Sequence, residues 1–452
     1  MASQPSNQRN GSNILRALRH QNYRLFFGGQ IVSLIGTWIQ QLAMSWLAYR
    51  ITRSPFLLGV IGFTGQIPTF LITPLAGVLA DRWNRHRILI LTQALLMLQA
   101  FVMSFLVLTG IINIAWLIGL SLFLGLVNSF DAPVRQSFVV DMVDEREDLA
   151  NAIALNSTIF NIARMLGPSV AGILVGLIGE GICFLINGIS YIAVIWALLL
   201  MRIKPMAYQK QEQHLLQELK DGFKYVFSFA PIRSIILLIS LTSLAGMSYI
   251  VVMPVFVKEV LRSGPDTQGF LLGAVGIGAL VGALSLASRK KVAGLERYIP
   301  LGAGVFGLGL VSFSFAKSLP VALPLLFITG YGMIAQSASS NTIIQTIVDE
   351  NKRGRVMSIY VMAFLGMAPF GSLFIGGMAD FFGTPAALRI GGLICLAGAL
   401  IFSSQINKFQ QSVQSIYLKL GLVSEKPLGI GTMTEINTEA IEEIVHKDRG
   451  KR

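Results

Sequence analysis

The chain has 452 residues, 53% of them apolar and only 13% charged, with a mean hydropathy of +0.65. These values exclude an ordinary soluble globular domain. Its 36 Lys and Arg against 23 Asp and Glu leave a formal charge of +13, which could suggest a nucleic-acid partner. The distribution of that charge excludes the suggestion, as shown below.

Residues 1–24 are polar and basic, with no apolar core ahead of a small-residue cleavage site, so no cleavable signal is expected. They read as a cytoplasmic lead. Apolar runs of about 20 residues, each enough for one helical crossing, then recur along the chain. Twelve are predicted, at about 25–49, 56–80, 88–109, 114–138, 150–178, 181–201, 232–257, 267–287, 298–316, 320–347, 355–379 and 385–406. They group into two six-helix bundles, 25–201 and 232–406. Residues 202–231 form a cytoplasmic linker. Within it Leu215, Leu219, Phe223 and Val226 recur at helical spacing beside Lys220 and Lys224, which predicts an amphipathic helix against the inner leaflet. The polar tail, 407–452, is expected to be disordered.

The two halves repeat each other. FLLGVIG at Phe56–Gly62 returns as FLLGAVG at Phe270–Gly276, Leu79–Arg82 returns as Leu286–Arg289, and Val143–Glu145 as Val348–Glu350. The offsets are 214, 207 and 205 residues, so the copies stay in register apart from small gaps. Parallel repeats about an axis along the bilayer normal are a recurring plan of secondary transporters.

With an even helix count and an interior N-terminus, 29 of the 36 Lys and Arg fall on the inner side and six on the outer, with Arg164 inside a span. Without the tail, which holds seven, the bias is still 22 to six. Positive charge therefore reports topology, with both termini cytoplasmic. Cys183 and Cys395 lie in different halves without metal-ligand spacing and read as buried apolar residues. No phosphate-binding Gly-rich loop, zinc site or nucleophile–base set appears, so neither an enzyme nor a cofactor is expected.

Between the second and third spans runs Gly77-Val78-Leu79-Ala80-Asp81-Arg82-Trp83-Asn84-Arg85-His86-Arg87. It resembles the signature loop of the major facilitator superfamily, with Asn84 in place of the usual Gly; both tolerate a left-handed turn. The resemblance implies that Asp81 meets the start of the eleventh span, here Arg353-Gly354-Arg355, as a latch on the outward-facing form, while Arg82, Arg85 and Arg87 hold the loop inside. The second copy keeps Arg289 but has Ser288 in place of the Asp, as a one-sided latch requires. Gly167-Pro168-Ser169-Val170-Ala171-Gly172 resembles that superfamily's antiporter motif, with Ala171 for the first Gly of its pair. Such a face can seal one side of a cavity.

Arg164, about 15 residues into its span, must face protein or a wet cavity, because mid-bilayer exposure costs roughly 2.5–3.5 kcal/mol. Two readings are open for Asp131: a proton-carrying carboxylate, or a structural pair with Arg135 one turn on. Arg164 is the candidate partner for a substrate anion. Polar stripes run along the first span (Gln30, Ser33, Thr37, Gln41 and Ser45, with Trp38) and the tenth (Ser337, Asn341, Gln345). Asn156, Asn161 and Asn187 add amides. Together they predict a wet cavity lined by neutral hydrogen-bonding groups and aromatics, suited to bulky amphipathic solutes.

To about Asn407 the chain resembles a twelve-span major facilitator protein: an all-α membrane protein of two pseudo-symmetric bundles. Asn22-Tyr23-Arg24, Asp131 to Gln136, Leu149 to Ala152, Asn156 to Arg164 and Arg353 to Val356 resemble its branch of enterobactin exporters and macrolide efflux pumps. That resemblance implies proton-coupled efflux of a siderophore or a macrolide-like drug across the bacterial inner membrane by a monomer. A cation-coupled importer and a non-transporting sensor are the alternatives.

Overall fold

The computed structural model describes residues 15–143, 145–203, 215–289 and 292–420, with backbone alone at 74–82, 146, 215, 216, 218, 219, 415 and 419. Among these residues there are helices and no strands. Ten helical stretches are long and apolar enough to cross a membrane, against the twelve expected. The difference lies in two places. α1 (Gln21–Thr52), α2 (Pro55–Arg82), α3 (Arg85–Leu108) and α4 (Ile114–Phe138) each make one crossing, but α5 (Arg146–Leu200) has 55 residues. A straight helix of that length would run about 80 Å, far past a hydrocarbon core of roughly 30 Å. It reverses at Gly179, where φ is 78° and ψ 167°, a conformation glycine adopts without strain. The predicted fifth and sixth spans are its two arms.

The second departure is short. After α6 (Leu215–Ser228) and α7 (Ala230–Ala245), the chain breaks through a 3-10 stretch, α8 (Met253–Val255) and a π turn. α9 (Pro265–Ala287) follows, then α10 (Tyr298–Phe313), whose 16 residues fall short of a full crossing by length. α11 (Leu319–Ile347), the paired α12 (Arg353–Leu365) and α13 (Ala368–Phe382), α14 (Thr384–Ser404) and α15 (Ile406–Lys419) complete the described chain.

Rows of large apolar side chains face outward. Leu177 is 77% exposed, Leu400 70% and Trp196 64%, and Leu91, Leu98 and Phe105 repeat at sevens along α3. A soluble protein hides such rows; a lipid-embedded one presents them. Inside, apolar clusters hold each half together, one around Tyr23, Leu89, Phe138 and Val194, another around Tyr249, Phe256, Phe306 and Leu326.

The polar lead is docked where the structure describes it. Ala17 and Tyr23 are fully buried; the Ala17 amide donates to Asn151 Oδ1 (2.9 Å) and the Tyr23 hydroxyl to the Ala152 carbonyl (2.8 Å). Buried Asp148 pairs with Arg16 and His20. The start of α1 is thereby fixed to the start of α5.

The tail corrects an expectation. Its first part is α15, which buries Phe409, Val413 and Tyr417 against the second half, while Gln410 donates to Glu296 at 2.8 Å. Burial, with Glu296 adding to it, pushes the Tyr417 phenol up to about 12, so this helix stays uncharged at its buried face. Sparse apolar residues among Gln, Ser and Lys hide that pattern from average hydropathy. Residues 421–452 lie outside the described residues. The linker helix α6 is also more than a leaflet float. A Cβ on Gly222 would come within 3.1 Å of Ile359 and 3.3 Å of Arg355, and Val226 is fully buried, so α6 lies on the start of α12. Phe223, Lys220 and Lys224 point outward, as does Phe227; the Leu215 and Leu219 side chains lie outside the described residues.

Replacing Phe409 with Ala should lower stability by about 3 kcal/mol, read as a drop in thermal midpoint in detergent. Ser412→Ala, on the exposed face of the same helix, should leave the midpoint unchanged.

Candidate functional site

A cavity of about 1280 Å³ occupies the centre, lined from both halves. It reaches Phe26, Val139 and Ile153, near the start of α1, the end of α4 and the start of α5. At the opposite end the halves close on each other.

Closure there depends on missing side chains. A Cβ on Gly172 would lie 2.4 Å from the Pro265 carbonyl, and one on Gly269 would lie 2.4 Å from the Pro168 carbonyl. α5 and α9 therefore meet backbone to backbone. α2 and α13 do the same, since a Cβ on Gly59 would sit 2.5 Å from the Ser372 carbonyl and one on Gly376 2.9 Å from Gly59 Cα. Polar contacts cross nearby: the Tyr49 hydroxyl donates to Glu259 (2.5 Å) and the Ser54 hydroxyl to Asp380 (3.0 Å). Of the antiporter-like residues, Pro168 and Gly172 thus lie in a seam between the halves, while Gly167 faces α1. Gly167 also lets Trp38 lie against α5, for a Cβ there would be 2.6 Å from the indole. The repeated FLLG motif supplies Gly59 to one seam and Gly273 and Gly276 to the other.

Of the predicted lining, Gln30, Thr37, Trp38, Gln41, Asn156, Asn161 and Asn187 border the cavity, as do Asp131 and Arg164. Ser337 and Asn341 do not. Ser337 borders a separate small space near Phe364, with its carbonyl held by the Tyr360 hydroxyl, and Asn341 accepts from Gln345. α11 turns Met333 to the cavity in their place. Asn187 sits in a buried amide chain, donating to Gln40, which donates to Gln99 at 2.9 Å. Gln40, Gln99 and Tyr249 were not singled out from the sequence. Single amides in apolar runs carry no signal until the helices that join them are known.

Asp131 is buried and forms an ion pair with Arg135. Its Oδ1 also accepts from Thr92 (2.8 Å) and Gln93 (2.7 Å), while Arg135 donates to Gln30 at 2.9 Å. The pair with Arg135 one turn on, one of the two readings open for Asp131, is present. Arg164 is not part of this set. Its guanidinium reaches no carboxylate among the described residues; Met333 Sδ lies 4.0 Å away, and the Tyr249 phenol is its electrostatic neighbour.

In the signature loop, the side chains of Gly77, Asp81 and Arg82 lie outside the described residues. Arg85 pairs with Asp141 at 3.4 Å. Asn84 departs from expectation: its φ of −67° is not left-handed, and its side chain accepts from the Arg87 amide as the N-cap of α3. Arg87, Arg353 and Arg355 are exposed, with Arg355 beneath α6.

Two helical bundles around one cavity, closed at one end, define a membrane transporter. The chain belongs to the transmembrane secretion effector family of the major facilitator superfamily, which it matches over residues 12–422. It is 27% identical to the staphyloferrin A transporter of Staphylococcus aureus, over 84% of this chain and 95% of that protein. It is 23% identical to the multidrug efflux pump Tap of Mycolicibacterium fortuitum, over 76% of this chain and 86% of the pump. Its fold resembles that of a bacterial ferroportin homologue in an inward-facing state (TM-score 0.65, 17% identity, 87% of this chain and 98% of that one). An unoccupied, inward-facing bacterial Spinster homologue is similar (TM-score 0.66, 14% identity, 90% and 98%).

Arg135→Gln alone should cost about 3–5 kcal/mol, because it leaves the buried Asp131 carboxylate unpaired. The double variant Asp131→Asn/Arg135→Gln should recover most of that loss in thermal midpoint. Gly172→Val should wedge the far seam open, seen as faster thiol labelling of a Ser45→Cys reporter from the far side.

Proposed function

We propose that this transporter exports a small amphipathic anion from the cytoplasm, with a siderophore the favoured class. The observation that carries this reading is the charge pattern of the cavity. Arg135 is neutralised by Asp131, whereas Arg164 has no carboxylate partner among the described residues. A cation held in a partly dry, amide-lined space attracts an anionic group, and a charge-assisted hydrogen bond there contributes about 1.5–3 kcal/mol. Similarity to a siderophore transporter and to an efflux pump supports the same class of cargo and the same direction.

In this reading the membrane is the bacterial inner membrane and both termini are cytoplasmic, as the Lys and Arg bias suggests. The described cavity then opens inward, where an exporter loads. Segments 25–201 and 232–406 are the two moving bodies, joined by 202–231, and a single copy encloses the whole cavity. Asp81, Gly77, Arg82, Arg353 and Arg355 form the latch of the outward-facing form. A cationic drug is the lesser alternative, since the one carboxylate that borders the cavity among the described residues is already paired.

Inside-out vesicles carrying the chain should take up labelled staphyloferrin A, and Arg164→Gln should cut the initial rate by roughly tenfold or more. Dansyl-glutamate and its dimethyl ester separate charge from packing. Wild type should bind the acid more tightly, and Arg164→Gln should abolish the difference. Equal binding of acid and ester by wild type would sink the anion reading.

A further inference from the structure

The broken part of the seventh span carries an unpartnered polar group to the cavity. A regular helix turns only every third or fourth residue to one side. Here all five residues from Met247 to Val251 border the cavity, and the stretch Met247–Val252 that carries them is a 3-10 helix. Irregular backbone at membrane depth is tolerated where it lines a cavity, and a piece of 3-10 helix inside a span often marks a working part. Tyr249, in the middle of this stretch, is 1% exposed, and its hydroxyl has no hydrogen-bond partner among the described residues. Such a group has lost its hydration and recovered nothing, so it calls for a reason.

Two other described side chains bordering the cavity have an unpartnered oxygen, Ser121 and Gln268. Gln268 already donates to the Ser45 hydroxyl at 3.2 Å, and a Ser hydroxyl in a helix can turn to the carbonyl one turn back. The phenol has neither outlet, because its oxygen stands at the end of a rigid ring and cannot reach its own backbone.

Three placements set the Tyr249 hydroxyl near Arg164. The phenol is the electrostatic neighbour of the guanidinium. Met333, whose Sδ lies 4.0 Å from Arg164, belongs to the same apolar cluster as Tyr249. Val275 of α9 is in that cluster too, and a Cβ on the adjoining Gly276 would come within 3.0 Å of the Arg164 carbonyl. Arg164 belongs to the first half and Tyr249 to the second. Among the described residues, neither donates to an oxygen.

We propose, resting on the reading of Arg164 as the anion's partner, that Tyr249 is the second donor of that site: one substrate carboxylate accepts from the Arg164 guanidinium and the Tyr249 hydroxyl together. A carboxylate offers two oxygens with about four lone-pair positions, enough for a guanidinium fork and a phenol at once. Met333 forms an adaptable wall of the spot and can move aside as the ligand enters. The cargo is then held by one donor from each half, and only a conformation that brings the two together holds it fully.

The test is fluorescence titration of the full chain in detergent with dansyl-glutamate and its dimethyl ester. Tyr249→Phe deletes only the hydroxyl. It should narrow the wild-type preference for the acid by about tenfold and leave ester affinity unchanged. The thermal midpoint should hold or rise, since an unpartnered buried hydroxyl is removed. In Arg164→Gln the carboxylate is no longer seated, so adding Tyr249→Phe should weaken acid binding no further. A wild-type preference that survives intact in Tyr249→Phe would overturn the proposal and leave Arg164 as the anion's partner. Further loss of acid binding in the double variant would overturn it as well. So would a Tyr249→Phe chain that melts lower and loses acid and ester affinity alike, the mark of a purely structural hydroxyl. Acid and ester bound equally by wild type is a separate failure: it removes the anion reading first, and the second donor with it.

Discussion

Everything this molecule does depends on two places where helices of opposite halves touch main chain to main chain. Gly172 and Gly269 form one, Gly59 and Gly376 the other, each too close for a methyl group to intervene. Dispersion between backbones that near is strong, and it needs no buried polar group to hold it. It is also separable, because small smooth surfaces part without breaking an ion pair. The polar links beside the seams are few, chiefly Tyr49 with Glu259 and Ser54 with Asp380. Such a closure leaves no room for a side chain between the halves.

Against this movable end stands a set of contacts that does not alternate. The amide chain through Asn187, Gln40 and Gln99 ties the second arm of α5, α1 and α3 into one body. The Asp131–Arg135 pair with Thr92, Gln93 and Gln30 adds α4 to it. Polar groups inside a membrane protein have two uses here. Where they satisfy one another they stiffen the wall, and where one is left over, at Arg164, it borders the cavity without a carboxylate partner among the described residues.

Much of the fold was legible because lipid imposes a simple grammar. Long apolar runs had to be spans, and the repeated FLLG motif announced a duplication; its glycines prove to be the seam itself. The hairpin at Gly179 falls in the gap predicted between the fifth and sixth spans, whereas the irregular outer part of the seventh span was not legible, since hydropathy is blind to a change of helix type within an apolar run. The site was legible in kind and not in pairing. Asp131 and Arg164 stood out as charges in lipid, but whether Asp131 met Arg135 depended on side-chain geometry, and spacing left both readings open. Ser337 and Asn341 shared a stripe that does not border the central cavity, because α11 presents Met333 to it. Asn84 looked like a substitute for a turn glycine, yet its side-chain oxygen makes it a helix cap. Sparse Phe409, Val413 and Tyr417 were diluted by polar neighbours and passed for a mobile tail.

The clasp at the start of the chain has a mechanical consequence. Tyr23 and Ala17 are bonded to the first turns of α5, and Asp148 in its first turn holds Arg16 and His20. Trp38, further up α1, leans on Gly167 of α5. One wall of the cavity is therefore a two-helix plank riveted low and propped high. A push delivered anywhere along it turns the whole lever and leaves little slack to absorb the stroke.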